Sequence, residues 1–303
     1  MLDDASQQPA ISPARPAVSE HSGQVEVLTK ECTDDLLSAF GLGELRYGRY
    51  LLGLISRIPA RRLARQVVTY DEIVGESGLA AGGAWALERM ARRVEVEGLE
   101  NVPREGPLLL AANHPGLSDT VALFATTPRA DLRVVAAERP FLNALPNTSR
   151  YLFTVNEQPP GRFGLVRTAT RHLRGGGAVL TFPSGKIEPD PAVLPGAVEA
   201  LEHWSASVVL FARLVPDLVV VPVIVSGVLS PTALRSPLTF LRQRKEDREW
   251  LAATFQMMTP ALRNVTMRIA FGWPVHADDS AGGSVSQAVL GEARRLIERG
   301  GAR

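Results

Sequence analysis

The chain has 303 residues, of which 45% are hydrophobic, and this length is sufficient for one sizeable α/β core. Its formal net charge of +1 provides no overall field that would attract nucleic acid. A single cysteine, Cys32, excludes an internal disulfide framework and favours a reducing compartment. The polar and acidic start, MLDDASQQPA, predicts no secretory signal.

Two regions precede the first predicted strand. Residues 1–28 are rich in Pro, Ser, Gln and Ala, which predicts a disordered tail. Residues 29–93 have helical periodicity, in TDDLLSAF, LRYGRYLLGLISRI, PARRLARQVVTYDEIV and LAAGGAWALERMARR. Because proline is favoured in a first helical turn, Pro59 is expected to begin a new helix, joined to the previous one near Ile58. We therefore expect a helical N-terminal subdomain.

Short apolar and β-branched runs predominate in residues 94–303. Seven of these runs are predicted strands: VEVEGL, PLLLAAN, LRVVAAE, YLFTV, GAVLTF, LVVVPVIVS and TMRIAFG. Helical patterns occur in TVALFATT, FGLVRTATRHL, PGAVEALEHW, LTFLRQRKEDREWLAATFQ and SVSQAVLGEARRLIERG, while SASVVLFARL fits either a helix or a strand. Alternating strands and helices predict an α/β fold with a mostly parallel sheet flanked by helices.

The longest uncharged stretch, residues 218–234, is the candidate for a membrane span. It contains Pro222, Gly227 and Pro231, and its apolar part is shorter than the roughly 20 residues that a spanning helix needs. A buried parallel strand followed by a loop explains the stretch better. We therefore expect no membrane span here.

The segment LLLAANHPGLSD places a histidine directly after a predicted strand. The apolar run Leu108–Ala112 is followed by Asn113 and His114, and Asp119 lies at the start of an apolar helix. Open α/β sheets bind ligands where their strands end, and a carboxylate five residues after His114 can reach its ring. Such a pair fixes the imidazole tautomer and makes a base for an alcohol. The alternative is a histidine in a turn, with Asp119 only capping the helix.

A second loop follows the predicted strand that ends at Phe182. Gly185 permits a positive φ and exposed backbone N–H groups, and Lys186 adds a cation. This loop suits a phosphate or a developing oxyanion, and a solvated turn is the alternative. Ser184 is an unattractive nucleophile, because a G-x-S-x-G elbow requires glycine at the position of Phe182.

Taken together, these motifs resemble the glycerophosphate and lysophospholipid acyltransferase family, the PlsC-like enzymes with an H-x4-D motif. The N-H-x4-D block is matched by Asn113, His114 and Asp119. The F-P-E-G-T-R block is matched by Phe182, Pro183, Ser184, Gly185 and Lys186, and the V-P-V strand by Val221, Pro222 and Val223. The P-S-G form also looks like that of plastid-type glycerol-3-phosphate acyltransferases. The resemblance covers roughly residues 94–227.

Two positions depart from the family pattern. Ser184 stands where most members have glutamate, and the arginine of the second block is missing because Asn156 and Glu157 follow YLFTV. Arg162 is the candidate replacement that binds an anionic acceptor. The acceptor therefore stays open between glycerol phosphate or a lysophospholipid and a non-phosphorylated aminolipid or glycolipid. A catalytically silent lipid-binding protein is a further alternative, which the intact N-H-x4-D block disfavours.

The resemblance implies a mechanism without metal or cofactor. His114 takes the proton of the acceptor hydroxyl as it attacks an acyl thioester, carried by CoA or acyl-carrier protein, and Asp119 stabilises the imidazolium. Backbone N–H groups near Gly185 are expected to bind the oxyanion. The expected substrate-binding residues are Asn113, Arg162, Phe182, Pro183, Ser184, Gly185 and Lys186. The other histidines, His21, His172, His203 and His276, lack the spacing of metal ligands.

Two basic stretches indicate where the protein works. Residues 46–65 contain six arginines and no acidic residue, interleaved with Tyr, Leu and Ile, and residues 158–187 contain five cations and no acidic residue. A solvated helix face would explain either stretch alone. Lipid substrates favour an interfacial surface that meets anionic lipid. We expect a cytoplasmic protein bound peripherally to the inner face of the cell membrane.

Overall fold

The computed structural model describes residues 18–43, 49–116, 118–155, 159–204, 207–277 and 283–301. Within these ranges the helices are α1 (Val18–Ala39), α2 (Arg49–Met90), α3 (Ser118–Thr126), α4 (Pro140–Asn143), α5 (Pro146–Ser149), α6 (Pro159–Arg174), α7 (Ala197–Ala200), α8 (Ser207–Leu214), α9 (Pro231–Leu234), α10 (Lys245–Met258) and α11 (Gly283–Gly301). The strands are β1 (Arg93–Glu97), β2 (Leu108–Ala112), β3 (Arg133–Ala137), β4 (Leu152–Val155), β5 (Ala178–Thr181), β6 (Val219–Ser226), β7 (Thr266–Phe271) and β8 (Val275–His276). Short 3-10 turns occupy Leu99–Asn101, Leu201–His203, Pro237–Leu241 and Pro260–Arg263.

The strands form one sheet in the order β1-β7-β6-β2-β5-β3-β4, and β8 pairs with β6. Strands β2 to β6 are mutually parallel, β1 is parallel to β7, and only β6 with β7 and β6 with β8 pair antiparallel among the described strands. The prediction of a mostly parallel sheet flanked by helices is confirmed. Strands β2 to β6 all end at one edge of the sheet, which we call the carboxyl edge.

Helices cover both faces of the sheet. Successive residues of β2 point to opposite faces, and each set packs against different helices. Leu108 and Leu110 pack into a cluster with residues of α2 and α3. Leu109 and Ala111 pack into a second cluster with residues of α6, α8 and α11. All five residues of β2 are buried, so this central strand gives a fixed support to the residues that follow it.

Helix α1 corrects the prediction of a disordered tail. It begins at Val18, so residues 18–28 are helical, and residues 1–17 lie outside the described ranges. Leu28 is fully buried against Ala64, Val68 and Leu145. The polar residues between Val18 and Leu28 concealed an amphipathic helix whose apolar face becomes evident only with its partner α2 in place.

Helix α2 departs from the predicted break at Pro59. The helix continues through this proline and bends sharply at Gly78, where φ is 85° and ψ is 173°. The second part packs back on the first, because a side chain at Gly82 would collide with Val74. Residues eight apart in a straight helix would be about 12 Å apart. The next residue, Ala60, is fully buried in the contact with α1. This packing stabilises the helix at Pro59 and compensates for the backbone hydrogen bond that proline cannot donate.

The seven predicted strands are all present, while the other patterns are confirmed in part. The ambiguous segment SASVVLFARL contains helix α8, and the uncharged stretch is the buried strand β6 followed by a loop and α9. The long helix predicted around LTFLRQRKEDREW is divided, because Arg242 at the end of the Pro237–Leu241 turn is extended before α10 begins. The two-residue strand β8 was not predicted. None of the described helices is long and apolar enough to cross a membrane.

Candidate active site

Asn113 connects the end of β2 to β6. Its side-chain amide donates to the carbonyl oxygen of Val225 at 2.9 Å, and its carbonyl oxygen accepts the N–H of Val225 at 2.7 Å. The Asn113 side chain is buried, and these two bonds continue the pairing of β2 with β6 beyond the last residue of the strand. The amide of Asn113 therefore holds the backbone that carries His114, and contact of Asn113 with a substrate stays a prediction.

His114 and Asp119 are brought together as the sequence predicted. Nδ1 of His114 lies 2.8 Å from Oδ2 of Asp119, whose side chain is completely buried. The same Oδ2 accepts the N–H of Gly116 at 3.0 Å, and Oδ1 accepts both the N–H and the hydroxyl of Thr120. Asp119 thus lies in the first turn of α3 and also orients the imidazole, so it is more than a helix cap.

The tautomer of His114 follows from this contact. Because a carboxylate only accepts hydrogen bonds, Nδ1 carries the proton and Nε2 keeps a lone pair. The side chain of His114 is 24% exposed, and Nε2 forms no hydrogen bond with any residue that the structure describes. A partly exposed nitrogen with a free lone pair is what a general base for an alcohol requires.

Two carboxylates adjust the pKa of His114. Burial lowers this pKa, but the charge of Asp119, its hydrogen bond and the charge of Glu188 together outweigh the burial. The pKa of His114 is therefore raised above its ordinary value. A base of this kind is stronger, but it is protonated over a wider range of acidic pH.

The loop after β5 contacts His114 through Phe182. The two rings are stacked, with centroids 4.4 Å apart and planes inclined by 28°. Pro183 is buried behind this contact. The stacked ring restricts rotation of the imidazole and leaves its edge free to meet a substrate.

The tip of the same loop forms a closed turn at Gly185. Gly185 adopts a φ of 65°, but its N–H donates to the carbonyl oxygen of Phe182 at 3.0 Å and closes a turn. The Ser184 hydroxyl donates to the carbonyl oxygen of Lys186 at 2.9 Å. The N–H of Gly185 therefore already has an acceptor in this geometry, and an oxyanion site formed by N–H groups near Gly185 stays a prediction. The side chain of Lys186 is exposed.

Glu188 is the site residue that the sequence analysis missed. It is 3% exposed, and its carboxylate accepts the N–H of His114 at 3.0 Å and the indole N–H of Trp204 at 2.9 Å. Ser184 could have indicated it. Because serine stands where the family pattern has glutamate, the next acidic residue in the chain, Glu188, was a candidate for the missing carboxylate. Burial raises the pKa of Glu188, opposed by its hydrogen bonds to Trp204 and the N–H of His114.

Asp190 anchors the end of this loop to the residues that follow β6. Its fully buried carboxylate accepts the N–H groups of Gly227, Val228 and Leu229 at 2.7–2.9 Å. Burial raises the pKa of Asp190, while these backbone hydrogen bonds lower it. The loop after β5 is thus fixed to the ends of both β2 and β6.

Other predicted positions are less defined. Arg162 lies in α6, but its side chain lies outside the described residues, as do Asn156 and Glu157. Within the described ranges, no group of His, Cys, Asp and Glu side chains has an arrangement that could hold a metal ion.

Comparison with known proteins identifies the class. Residues 93–226 match the sequence profile of the Acyltransferase family. The matched segment runs from β1 to the end of β6 and includes His114, Asp119 and the loop after β5. This segment, a little under half of the chain, is similar to the domain of the acyltransferase family. The resemblance noted from the sequence motifs is confirmed at this level.

Among solved structures, the chain is similar to the 1-acyl-sn-glycerophosphate (LPA) acyltransferase PlsC from Thermotoga maritima. The two chains share 20% identity with a TM-score of 0.45, and the alignment covers 91% of this chain and 98% of the other. No curated protein matches the chain significantly in sequence.

Proposed function

We propose that the protein transfers a fatty acyl group from a thioester to the hydroxyl of a glycerolipid acceptor, either glycerol phosphate or a lysophospholipid. The observation that carries the proposal is the 2.8 Å contact between His114 and Asp119. It lies at the carboxyl edge of an acyltransferase-family domain and leaves Nε2 of His114 with a lone pair. The intact pair disfavours a catalytically silent lipid-binding protein.

In the proposed reaction, Nε2 of His114 removes the proton of the acceptor hydroxyl as its oxygen attacks the thioester carbonyl carbon. The tetrahedral intermediate then collapses, the C–S bond breaks, and the thiolate of CoA or of acyl-carrier protein takes the proton back from the imidazolium. Asp119 stabilises the imidazolium between these steps. General-base assistance of this kind contributes about 10²–10⁴-fold. No metal or further cofactor is part of this scheme.

Binding to a membrane surface completes the proposal, since a lysophospholipid acceptor and the acylated product are both amphiphiles. The start of α2 exposes Leu54, Ile55 and Ile58, which are 56%, 69% and 78% accessible. Arg57, Arg61 and Arg62 are exposed beside them, and Arg57 contacts Glu26. Apolar side chains next to arginines suit the boundary between headgroups and acyl chains of an anionic membrane. We place the protein peripherally on the cytoplasmic face of the cell membrane.

The test is an acyl-transfer assay with the purified full chain. Acyl-CoA and acyl-carrier protein are each offered with glycerol 3-phosphate, lysophospholipids and non-phosphorylated glycolipids, and free thiol and acylated products are measured by absorbance and mass spectrometry. We expect thiol release that depends on a glycerolipid acceptor and disappears with His114→Ala. Absence of product with every donor and acceptor, from a folded protein, would refute the proposal.

A second candidate is O-acylation of a non-phosphorylated lipid. It is favoured by the loop of residues 182–188, which offers few groups to a phosphate. The Ser184 hydroxyl and the Gly185 N–H donate to carbonyl oxygens of the loop itself, and Lys186 is the one basic residue in these seven. If Lys186 binds an acceptor phosphate, Lys186→Ala should raise KM about 5–150-fold, which corresponds to about 1–3 kcal/mol. Arg162→Ala tests the other candidate cation in the same way, with exposed Lys30→Ala as the control. An unchanged KM in both variants would favour the non-phosphorylated acceptor.

A further inference from the structure

Large apolar side chains are exposed around the carboxyl edge on segments other than α2. Phe163, near the start of α6, follows β4, and its residue is 78% exposed. Ile187, in the loop after β5, is 53% exposed. Leu238, Phe240 and Leu241 are 49%, 68% and 64% exposed in the 3-10 turn that follows β6 and α9. Each segment thus comes after the end of a different strand.

Contacts place these segments beside the candidate site. Ile187 directly precedes Glu188, whose carboxylate holds the backbone of His114. The 3-10 turn is tied to the residues after β6 by successive backbone hydrogen bonds, because the N–H of Leu234 donates to the carbonyl oxygen of Ser230 at 3.0 Å and the N–H of Thr239 donates to that of Ser236 at 3.0 Å. The apolar side chains after β5 and β6 therefore belong to segments that leave the sheet at the edge where His114 lies.

The charge of the surrounding sequence is strongly one-sided. Residues 49–70, 159–187 and 227–245 together contain fourteen of the 33 lysines and arginines of the chain and none of its 32 acidic residues. The chain as a whole is nearly neutral, with a formal charge of +1. The three segments that carry the exposed apolar side chains of α2, α6 and the 3-10 turn are thus complementary to an anionic surface.

We infer that the carboxyl edge of the α/β domain itself contacts the bilayer, with Ile187 and the Leu238–Leu241 turn inserted among anionic headgroups so that His114 faces the membrane. The inference rests on the proposed function, because it gives the lipid acceptor a direct route to His114. A bilayer is the occupant that the arrangement favours, because basic segments free of acidic residues flank the exposed apolar side chains and are complementary to anionic headgroups. Exposed apolar patches with basic neighbours are typical of such interfaces.

Site-specific fluorescence tests the orientation. An environment-sensitive fluorophore is attached to Ile187→Cys and, separately, to Phe240→Cys, in a chain whose buried cysteine is removed by Cys32→Ala. Trp273→Cys is the apolar control, because Trp273 is 64% exposed but follows β7, which runs away from the carboxyl edge. Glu105→Cys is the control before β2, at the opposite edge. The vesicles are phosphatidylcholine with or without phosphatidylglycerol.

We expect a blue shift and increased emission at positions 187 and 240 with the anionic vesicles, and no change at 105 or 273. Equal changes at all four positions, or none at 187 and 240 while the protein co-sediments with vesicles, would overturn the inference. The latter result would favour a protein partner for these side chains.

Unlabelled variants keep the test independent of the Cys32 substitution. Ile187→Ser and Phe240→Ser should each weaken vesicle binding about tenfold, whereas Trp273→Ser should not. Equal binding by all three variants would contradict the inference. Acyl transfer to a detergent-dispersed acceptor is measured in parallel. Turnover without a fluorescence change at positions 187 and 240 would reject only the orientation. A fluorescence change at these positions without turnover would reject only the proposed function.

Discussion

Glu188 holds His114 through the backbone in both directions. The N–H of Glu188 donates to the carbonyl oxygen of His114 at 2.8 Å, and the N–H of His114 donates to Oε2 of Glu188 at 3.0 Å. The second carboxylate oxygen accepts the indole N–H of Trp204 at 2.9 Å. The position of the candidate base is thus determined by the loop after β5 as well as by β2.

The first prediction concerns pH. The charge of Glu188 raises the pKa of His114, so removing it should lower that pKa and move the acidic limb of kcat/KM to lower pH. Glu188→Gln alone would turn an amide N–H₂ toward one of two donors. We therefore compare the Glu188→Gln, Trp204→Phe double variant with Trp204→Phe alone, which retains the charge. The pH profile of kcat/KM is measured for both.

A loss of activity without any shift of the acidic limb would give Glu188 a purely structural role. A shift toward higher pH would contradict the assigned electrostatics. The thermal stability of both variants is measured alongside, so that a change in folding is separated from a change in the pKa of His114.

The second prediction concerns the pair itself. His114→Ala should reduce kcat about 10²–10⁴-fold with an unchanged circular dichroism spectrum, because it removes the general base. Asp119→Asn should also reduce kcat, since the amide can hold the wrong imidazole tautomer. His276→Ala, at an exposed histidine of β8, is the matched control and should retain full activity. Near-normal turnover in folded His114→Ala would exclude the mechanism.

The sequence predicted His114 and Asp119 because the pair lies within six consecutive residues at the junction of a strand and a helix. Local periodicity is enough to place such residues. Glu188 could not be placed in this way, since its contact with His114 spans 74 residues and depends on the parallel pairing of β2 with β5. The positive φ of Gly185 was predicted from its residue type, whereas only the closed turn shows that its N–H already has an acceptor.

The fold shows the same difference between local and long-range information. The strands were predicted from their apolar composition, and their burial on both faces explains why that signal is strong. Pro59 was misjudged, because its effect on α2 depends on tertiary packing. Ala60 is fully buried where α1 and α2 meet, and this packing supports a helix that propensity alone would end.

The third prediction concerns the stability of the strand end. Asn113→Ala should lower the free energy of unfolding by about 2–4 kcal/mol, because it leaves the buried N–H and carbonyl of Val225 without partners. Asn143→Ala, at an exposed asparagine of α4, should change it by less than about 0.5 kcal/mol. Urea denaturation measures both values. If the two variants were equally stable, the bridging role of Asn113 would be refuted.

The last prediction concerns the basic start of α2. Arg57, Arg61 and Arg62 are exposed there, on the same helical segment as three exposed apolar residues. An arginine near an anionic surface contributes about 1 kcal/mol, and salt screens the attraction. Arg57 also contacts Glu26, so its contribution should be smaller than that of a free arginine. Changing all three arginines to Gln should therefore weaken binding to phosphatidylglycerol vesicles about 10–100-fold. Vesicle co-sedimentation at low and high salt measures the effect.

The matched control removes the same amount of positive charge elsewhere. Arg104, Arg213 and Arg294 are exposed arginines outside α2, and their simultaneous change to Gln lowers the net charge equally. If the attraction came from net charge alone, both triple variants would bind equally weakly. If α2 is the contact, only its variant should lose binding, and that variant should also show the smaller dependence on salt, because fewer arginines remain to be screened. Equal binding by the wild type and the α2 variant would instead assign these arginines to an ordinary solvated helix face.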